Sequence, residues 1–469
     1  MKETTKVEGI SAQDRANELF LNSEILAPMV RASTAPLRAL ALSYGADLVY
    51  TEEIVDRSIT TCQRTVNEEL GTIDFVRPLT HFSPKVQKRI QAAGEGLPVV
   101  LRIVPSLEKG KLIYQMGTGE SNLALPAATA VAQDVDGIDI NMGCPKKFSV
   151  SGGMGSALLT DMPRACDIIK TLRRNISLPI SAKIRIIPGE FPKNTIDFVQ
   201  GLIQAGANAV TIHARLPGDE STQLAKWDQL VDVINILKTT GNITSSEGGA
   251  VPIIINGDLY TRNHMINMRR KCLADGIMLA RPALYNTSIF RKPSQIEHGQ
   301  STGRDQSLDK QEETRYGYNS PLLKSKTEVI QDYLHFANLY QSNPKNIKYV
   351  ICEMMTNRRT PPTLAHYMPQ SYPGKQTIDK VCKCKTMESL CKLWDVSTSI
   401  DHKLLNTMTS KNNSSAIDGH NYDDKYFLDP ETFRKERMAK ESLLHANKSS
   451  RDVEANSEES HTQKRMKTE

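Results

Sequence analysis

Short runs of apolar and β-branched residues recur along the chain, and each ends on a polar or reactive side chain. They stand at 25–30 (ILAPMV), 47–53 (DLVYTEE), 111–117 (KLIYQMG), 136–143 (DGIDINMG), 179–186 (PISAKIRI), 208–215 (NAVTIHAR), 251–257 (VPIIING) and 275–281 (DGIMLAR). Nearly continuous apolar runs predict strands buried on both faces, hence parallel, with helices packed over them. Eight such units match the ~250 residues of a (β/α)8 TIM barrel. An open doubly wound sheet is the alternative arrangement. The barrel is preferred because of what closes the runs: Met29, Glu52, Gln115, Asn141 with Cys144, Lys183, His213, Asn256 and Arg281. In a barrel the C-terminal strand ends converge on one site.

Beyond the last run the pattern changes. Residues 291–325 are polar and turn-rich and read as a linker. From Lys326 the spacing of Val329, Ile330, Tyr333, Leu334, Phe336 and Ala337 predicts a helix. A second helix (NIKYVICEMM) and one or two shorter ones complete a module over 326–405. The tail, 406–469, is charged and Ser/Asn-rich and reads as largely disordered, with a candidate helix at PETFRKERMAKESLLHA. Residues 1–22 form an N-terminal extension ahead of a barrel at 23–290.

Composition adds limits. The 469 residues carry a net charge of +6, too mild to demand a polyanionic partner. Most of that excess sits in 322–403, where 12 Lys+Arg face 7 Asp+Glu. Eight irregularly spaced cysteines and an N-terminus without an apolar core predict reduced thiols in a cytoplasmic or nuclear setting. No stretch approaches the ~18 apolar residues of a membrane span. No metal is expected, because no ligand pattern flanks Cys144 and the CKC at 382–384 is too poor a set for zinc.

The strand ends suggest chemistry. Lys183 offers a cation that could stabilise a developing anion. Asn256, Gly257 and Asp258 close the seventh run and Ala280 and Arg281 the eighth, the two positions at which many barrels bind phosphate. His213 could hydrogen-bond a ring carbonyl or a phosphate, and Gln115 and Asn141 offer amides. Pro28, Met29 and Val30 supply an apolar edge for a flat ring. With no GxGxxG after the first run, these features favour a flavin-type barrel and leave the substrate open. Cys144 could be a nucleophile, a metal ligand or a general acid; a thiol of ordinary pKa, ~8.5, stays protonated at neutral pH and can donate. Gly143 and Pro145 fix its backbone, and Gly152, Gly153 and Gly155 let the following loop pass close to a bulky substrate.

The segments LAPMVRASTAPLR, DGIDINMGCPKKFSVSGGMGSALL, AKIRI, TIHAR, IIINGD and GIMLARPAL resemble the tRNA-dihydrouridine synthases, over roughly residues 24–400. The cysteine motif is most similar to the eukaryotic branch acting on uridine 20 of the tRNA D-loop. That resemblance implies FMN on a TIM barrel and a C-terminal helical domain that grips tRNA. NADPH would reduce FMN, hydride would pass to C6 of a flipped-out uracil, and Cys144 would protonate C5. By the match, Pro28, Met29, Val30, Gln115, Lys183, His213, Asn256, Gly257, Ala280 and Arg281 fall on FMN-binding positions. Asn141 and Arg185 would face the uracil, and Lys345, Asn346, Lys348, Tyr349, Arg358 and Arg359 would meet the RNA. The expected form is a monomer. Two departures stand out. Ala280-Arg281-Pro282 replaces the family's frequent Gly-Arg-Gly, removing one N–H and putting more of the phosphate contact on Arg281. The tail is also too short and polar for the double-stranded-RNA-binding domain of animal members. Two other readings compete: an FMN barrel acting on a small pyrimidine, in the manner of dihydroorotate dehydrogenases, and a non-catalytic tRNA-binding protein.

Overall fold

The computed structural model describes residues 10–93, 96–240, 243–245, 247–292, 323–367 and 377–399. The chain enters through β1 (Glu24–Leu26), β2 (Leu48–Tyr50) and a two-residue β3 (Ile54–Val55). It then forms β4 (Gln63–Asn67), β5 (Thr72–Val76) and β6 (Val99–Ile103). Six further strands follow: β7 (Leu112–Gly117), β8 (Gly137–Asn141), β9 (Ile180–Arg185), β10 (Ala209–His213), β11 (Ile253–Asn256) and β12 (Gly276–Leu279).

Parallel pairing runs β1–β2–β7–β8–β9–β10–β11–β12 and returns from β12 to β1, so the sheet closes into an eight-stranded barrel. Both faces are buried, as the continuous apolar runs require. Outward residues such as Ile138, Ile140, Ala182, Ile184, Ile253 and Ile255 pack under the surrounding helices. The alternate positions point inward, and the lower ones, Ile25, Leu48, Tyr50, Ile113, Ile254 and Met278, fill the interior.

Ala12–Phe20 is a helix that closes this interior from below, through Ala16 and Phe20. Gln13 Nε2 donates to the carbonyls of Asn208 and Ala250, which pins the helix there. Part of the N-terminal extension is therefore core.

A three-stranded antiparallel sheet, β4–β5–β6, stands between β3 and β7; the sequence pattern did not foretell it. β4 (QRTVN) is almost wholly exposed, so it carries no apolar run to read. The hairpin turns at Gly71, whose φ is +62°.

The helices Lys326–Leu339 and Pro344–Thr356 form the C-terminal module, followed by Ile378–Lys383 and Met387–Leu393. A Ser325–Glu328 capping box starts the first of them. The module is seated on the barrel: Tyr44 Oη donates to Asp332, and the Arg31 guanidinium lies 4.6 Å from the Tyr349 ring centroid. Most of the linker reading and the whole disordered-tail reading, with its candidate helix, fall outside the described residues. No described helix is long and apolar enough to cross a membrane. All eight cysteines are free thiols.

Candidate active site

The C-terminal ends of the barrel strands open into one cavity of about 600 Å³. Pro28, Val30, Gln115, Asn141, Cys144, Lys183, Arg185, His213, Asn256, Gly257, Ala280 and Arg281 all line it. Met29 does not; its side chain packs against the core instead. From the helical module only Arg359 reaches the lining, while Lys345, Asn346, Lys348, Tyr349 and Arg358 stand away from it.

A hydrogen-bonded ladder rises from the barrel interior to Cys144. Asp139 is fully buried and accepts from Gln115 Nε2 (2.8 Å) and Ser181 Oγ (2.7 Å). Burial pushes its carboxyl up to about 6, against the pull of Gln115, Ser181 and Lys183. Asn141 Nδ2 donates to Gln115 Oε1 at 3.4 Å. Asn141 Oδ1 accepts the backbone N–H groups of Gly143 and Cys144, both at 3.0 Å, and Ser156 N–H donates to the Cys144 carbonyl at 2.9 Å. The cysteine backbone is thus held from both sides, with its thiol half-buried.

The wall that continues from this ladder over β9 to β12 is cationic. Burial, with Arg185 nearby, lowers Lys183 to about 8, while Asp139 and Cys144 oppose that shift. Burial and the surrounding Lys183, Arg185, Arg215 and Arg281 hold His213 well below its ordinary value, so the ring is neutral at pH 7. Arg215 Nη1 lies 3.2 Å from His213 Nε2. Arginine can only donate, so Nε2 accepts and the ring proton sits on Nδ1. Arg185, lowered to about 10 by burial and by Arg215, donates to the Leu216 carbonyl at 2.8 Å.

Asp258 joins two of the guanidinium groups that line the cavity. Arg215 Nη2 donates to both its oxygens at 2.8 Å, and Arg281 Nη2 to Oδ1 at 2.8 Å. Arg281 Nη1 also donates to the carbonyls of Ser221 and Arg359. Two cations share one carboxylate, which leaves this corner net positive.

Two participants were missed in the sequence, Glu53 and Arg215, and Asp258 was read only as part of the turn that closes the seventh run. Glu52 was the residue read at the second strand end, but its carboxylate turns aside to accept Arg31 N–H at 2.7 Å. Glu53 faces the cavity instead. Burial raises its carboxyl, opposed by the Cys144 thiol and the Asn141 amide beside it. Arg215 stands two residues past His213, so the reading of that strand end stopped short of it. No described cluster of three or more His, Cys, Asp or Glu residues could hold a metal ion.

Comparisons with known proteins agree with this geometry. The family model "Dihydrouridine synthase (Dus)" matches residues 82–371. A Schizosaccharomyces pombe protein named tRNA-dihydrouridine(20) synthase [NAD(P)+] is 36% identical over 279 residues, covering 58% of this chain and 52% of that one. Its Saccharomyces cerevisiae namesake is 36% identical over 281 residues, covering 58% and 67%. An S. pombe tRNA-dihydrouridine(16/17) synthase is 28% identical over 287 residues, 61% of each. The chain therefore spans between about half and two thirds of the length of these relatives. By the extent of the matched region, it belongs to the dihydrouridine synthase family.

Proposed function

We propose that this protein reduces uridine 20 of tRNA to dihydrouridine, with FMN bound in the barrel and NADPH as the reductant. The observation that carries the reading is Cys144, a half-buried thiol with a fixed backbone, in a 600 Å³ cavity that it shares with a wall of cations. The relatives named for position 20 support the choice of site.

The residues fit a flavin phosphate. Lys183, His213 Nδ1–H and the net positive corner of Arg215, Arg281 and Asp258 match an anionic, electron-rich ligand. Gly257, at φ +128°, lets the strand end pack against His213: a Cβ would stand 3.1 Å from the Ala225 Cβ and 3.2 Å from His213 Cδ2. When bound, the flavin supplies hydride transfer from a reduced nicotinamide to a pyrimidine ring. The protein does the rest. Lys183 sets positive charge at the floor, and Asn141 and Ser156 hold Cys144 where its S–H gives a proton to C5 of the base. At the rim, Arg358 and Arg359 share the single carboxylate of Glu353 and keep surplus charge for the RNA backbone.

The test is position-resolved dihydrouridine mapping on unmodified tRNA incubated with protein, FMN and NADPH, beside Cys144→Ala. Wild type is expected to mark position 20, and the variant to keep its yellow cofactor while losing most turnover. Full activity in the variant would remove Cys144 from the acid role. Signal at another D-loop position would discard the choice of uridine 20.

A further inference from the structure

A glycosylated uracil presents two carbonyl acceptors and a single donor, N3–H. The cavity is rich in partners for the carbonyls, so the question is which group accepts the N–H. Most acceptors are already taken. Asp258 is bound by Arg215, Arg281 and the Ala225 N–H. Asp219 accepts the Leu216 N–H and pairs with Lys226. Glu220 is exposed to solvent. Asn141 Oδ1 holds two backbone N–H groups, Gln115 Oε1 takes the Asn141 amide, and His213 Nε2 faces Arg215.

Glu53 is the exception. It lines the cavity, its Oε1 is tucked against Gly117 without a partner, and the Cys144 thiol and the Asn141 amide hydrogen-bond its carboxyl. An ionised carboxylate has about four acceptor sites, so two neighbouring donors leave Glu53 able to take one more from the cavity. Its place is also specific. A Cβ on Gly117 would lie 2.7 Å from Glu53 Oε1, so the carboxyl occupies space that only a glycine on β7 leaves open. The Cys144 thiol and the Asn141 amide lie beside it.

We propose that Glu53 accepts the N3–H of the target uracil and so selects uracil against cytosine, whose N3 is itself an acceptor. The inference rests on the proposed function. The carboxylate is a specificity group that touches the base, with Cys144 set over C5 of the same ring. Asn141, whose carbonyl oxygen is spent on the Cys144 loop, is the weaker candidate for this bond.

The experiment uses the full chain with FMN and NADPH, and tRNA carrying uridine, 3-methyluridine or cytidine at the modified position. Wild type, Glu53→Gln and Glu53→Ala are compared for kcat/KM on each tRNA and for FMN affinity. Wild type should act on uridine and discriminate against the other two bases. Glu53→Ala should lose about 10- to 100-fold on uridine, the size of one charge-assisted hydrogen bond. Its activity on 3-methyluridine should not fall in step, so the ratio between the two collapses. Glu53→Gln is nearly isosteric and keeps an amide oxygen, so its loss on uridine should be smaller. An unchanged uridine to 3-methyluridine ratio in Glu53→Ala would overturn the proposal. A loss confined to FMN affinity would overturn it too, because the donor would then be the flavin. Wild type without turnover on any tRNA would remove the proposed function, and this inference with it.

Discussion

Gly155 and Gly71 form a matched pair, with φ +61° and +62°. An alanine at either position pays the same left-handed backbone penalty, ~1–2 kcal/mol. Their surroundings differ. A Cβ on Gly71 has nothing within 4 Å, whereas one on Gly155 would lie 2.5 Å from the Cys144 carbonyl oxygen and 3.2 Å from the Cys144 Cβ. Contacts shorter than 3.0 Å do not persist, so that carbonyl must retreat by at least about half an ångström. The Ser156 N–H bonded to it at 2.9 Å must follow. A misplacement approaching 1 Å can cost ~100-fold in rate. Gly155→Ala should therefore lose at least as much melting temperature as Gly71→Ala, and keep its cofactor. Turnover on tRNA should fall by about 10- to 100-fold in Gly155→Ala alone. The assay is single-turnover reoxidation of reduced enzyme by tRNA, with cofactor content and Tm measured on the same samples. Equal turnover in the two variants would refute the idea that this glycine seats the thiol.

Asp139 gives a pH signature. Its folded carboxyl titrates near 6, above the ~3.9 of an exposed aspartate. The folded state therefore holds a proton that the unfolded chain has released between about pH 4 and 6, and stability falls as pH rises through that window. Urea titrations should show wild type losing ground to Asp139→Asn from pH 4.5 to 7; parallel curves would contradict the assignment. Lys345→Glu and Lys348→Glu should separate. Lys345 is exposed and its reversal should weaken tRNA binding in a salt-dependent way. Lys348 Nζ donates to the carbonyls of Cys382 (3.2 Å) and Cys384 (2.8 Å), so its reversal should also lower Tm. Phe20→Ala should cost ~3–5 kcal/mol in denaturant unfolding if the N-terminal helix is the barrel floor, and much less if it is an appendage.

The barrel was legible because its strands are buried on both faces, which leaves a signature in local sequence. The same holds for Cys144, His213, Asn256 and Arg281, which stand at or just past strand ends, and for Lys183, which stands inside its strand near the C-terminal end. What escaped depends on partners far along the chain. Glu53 rather than Glu52 faces inward because β2 stops at Tyr50 and the chain rejoins β7 only at Ile54, opposite Met116. Asp258 matters through Arg215 and Arg281, 43 and 23 residues distant. Lys348 looked like a free surface cation, yet its ammonium closes the module on carbonyls 34 and 36 residues ahead.

Arg281 has a consequence for how the two halves of the molecule communicate. One guanidinium serves both the anion-binding corner, through Asp258, and the helical module, through the Arg359 carbonyl. Any anion that draws Arg281 toward itself competes with that carbonyl and loosens the loop bearing Arg358 and Arg359. Linkage makes the trade symmetric: whatever clamps that loop in place changes the affinity for the anion by the same factor. Anion binding in that corner and the seating of that loop thus meet at one guanidinium, through its two terminal nitrogens.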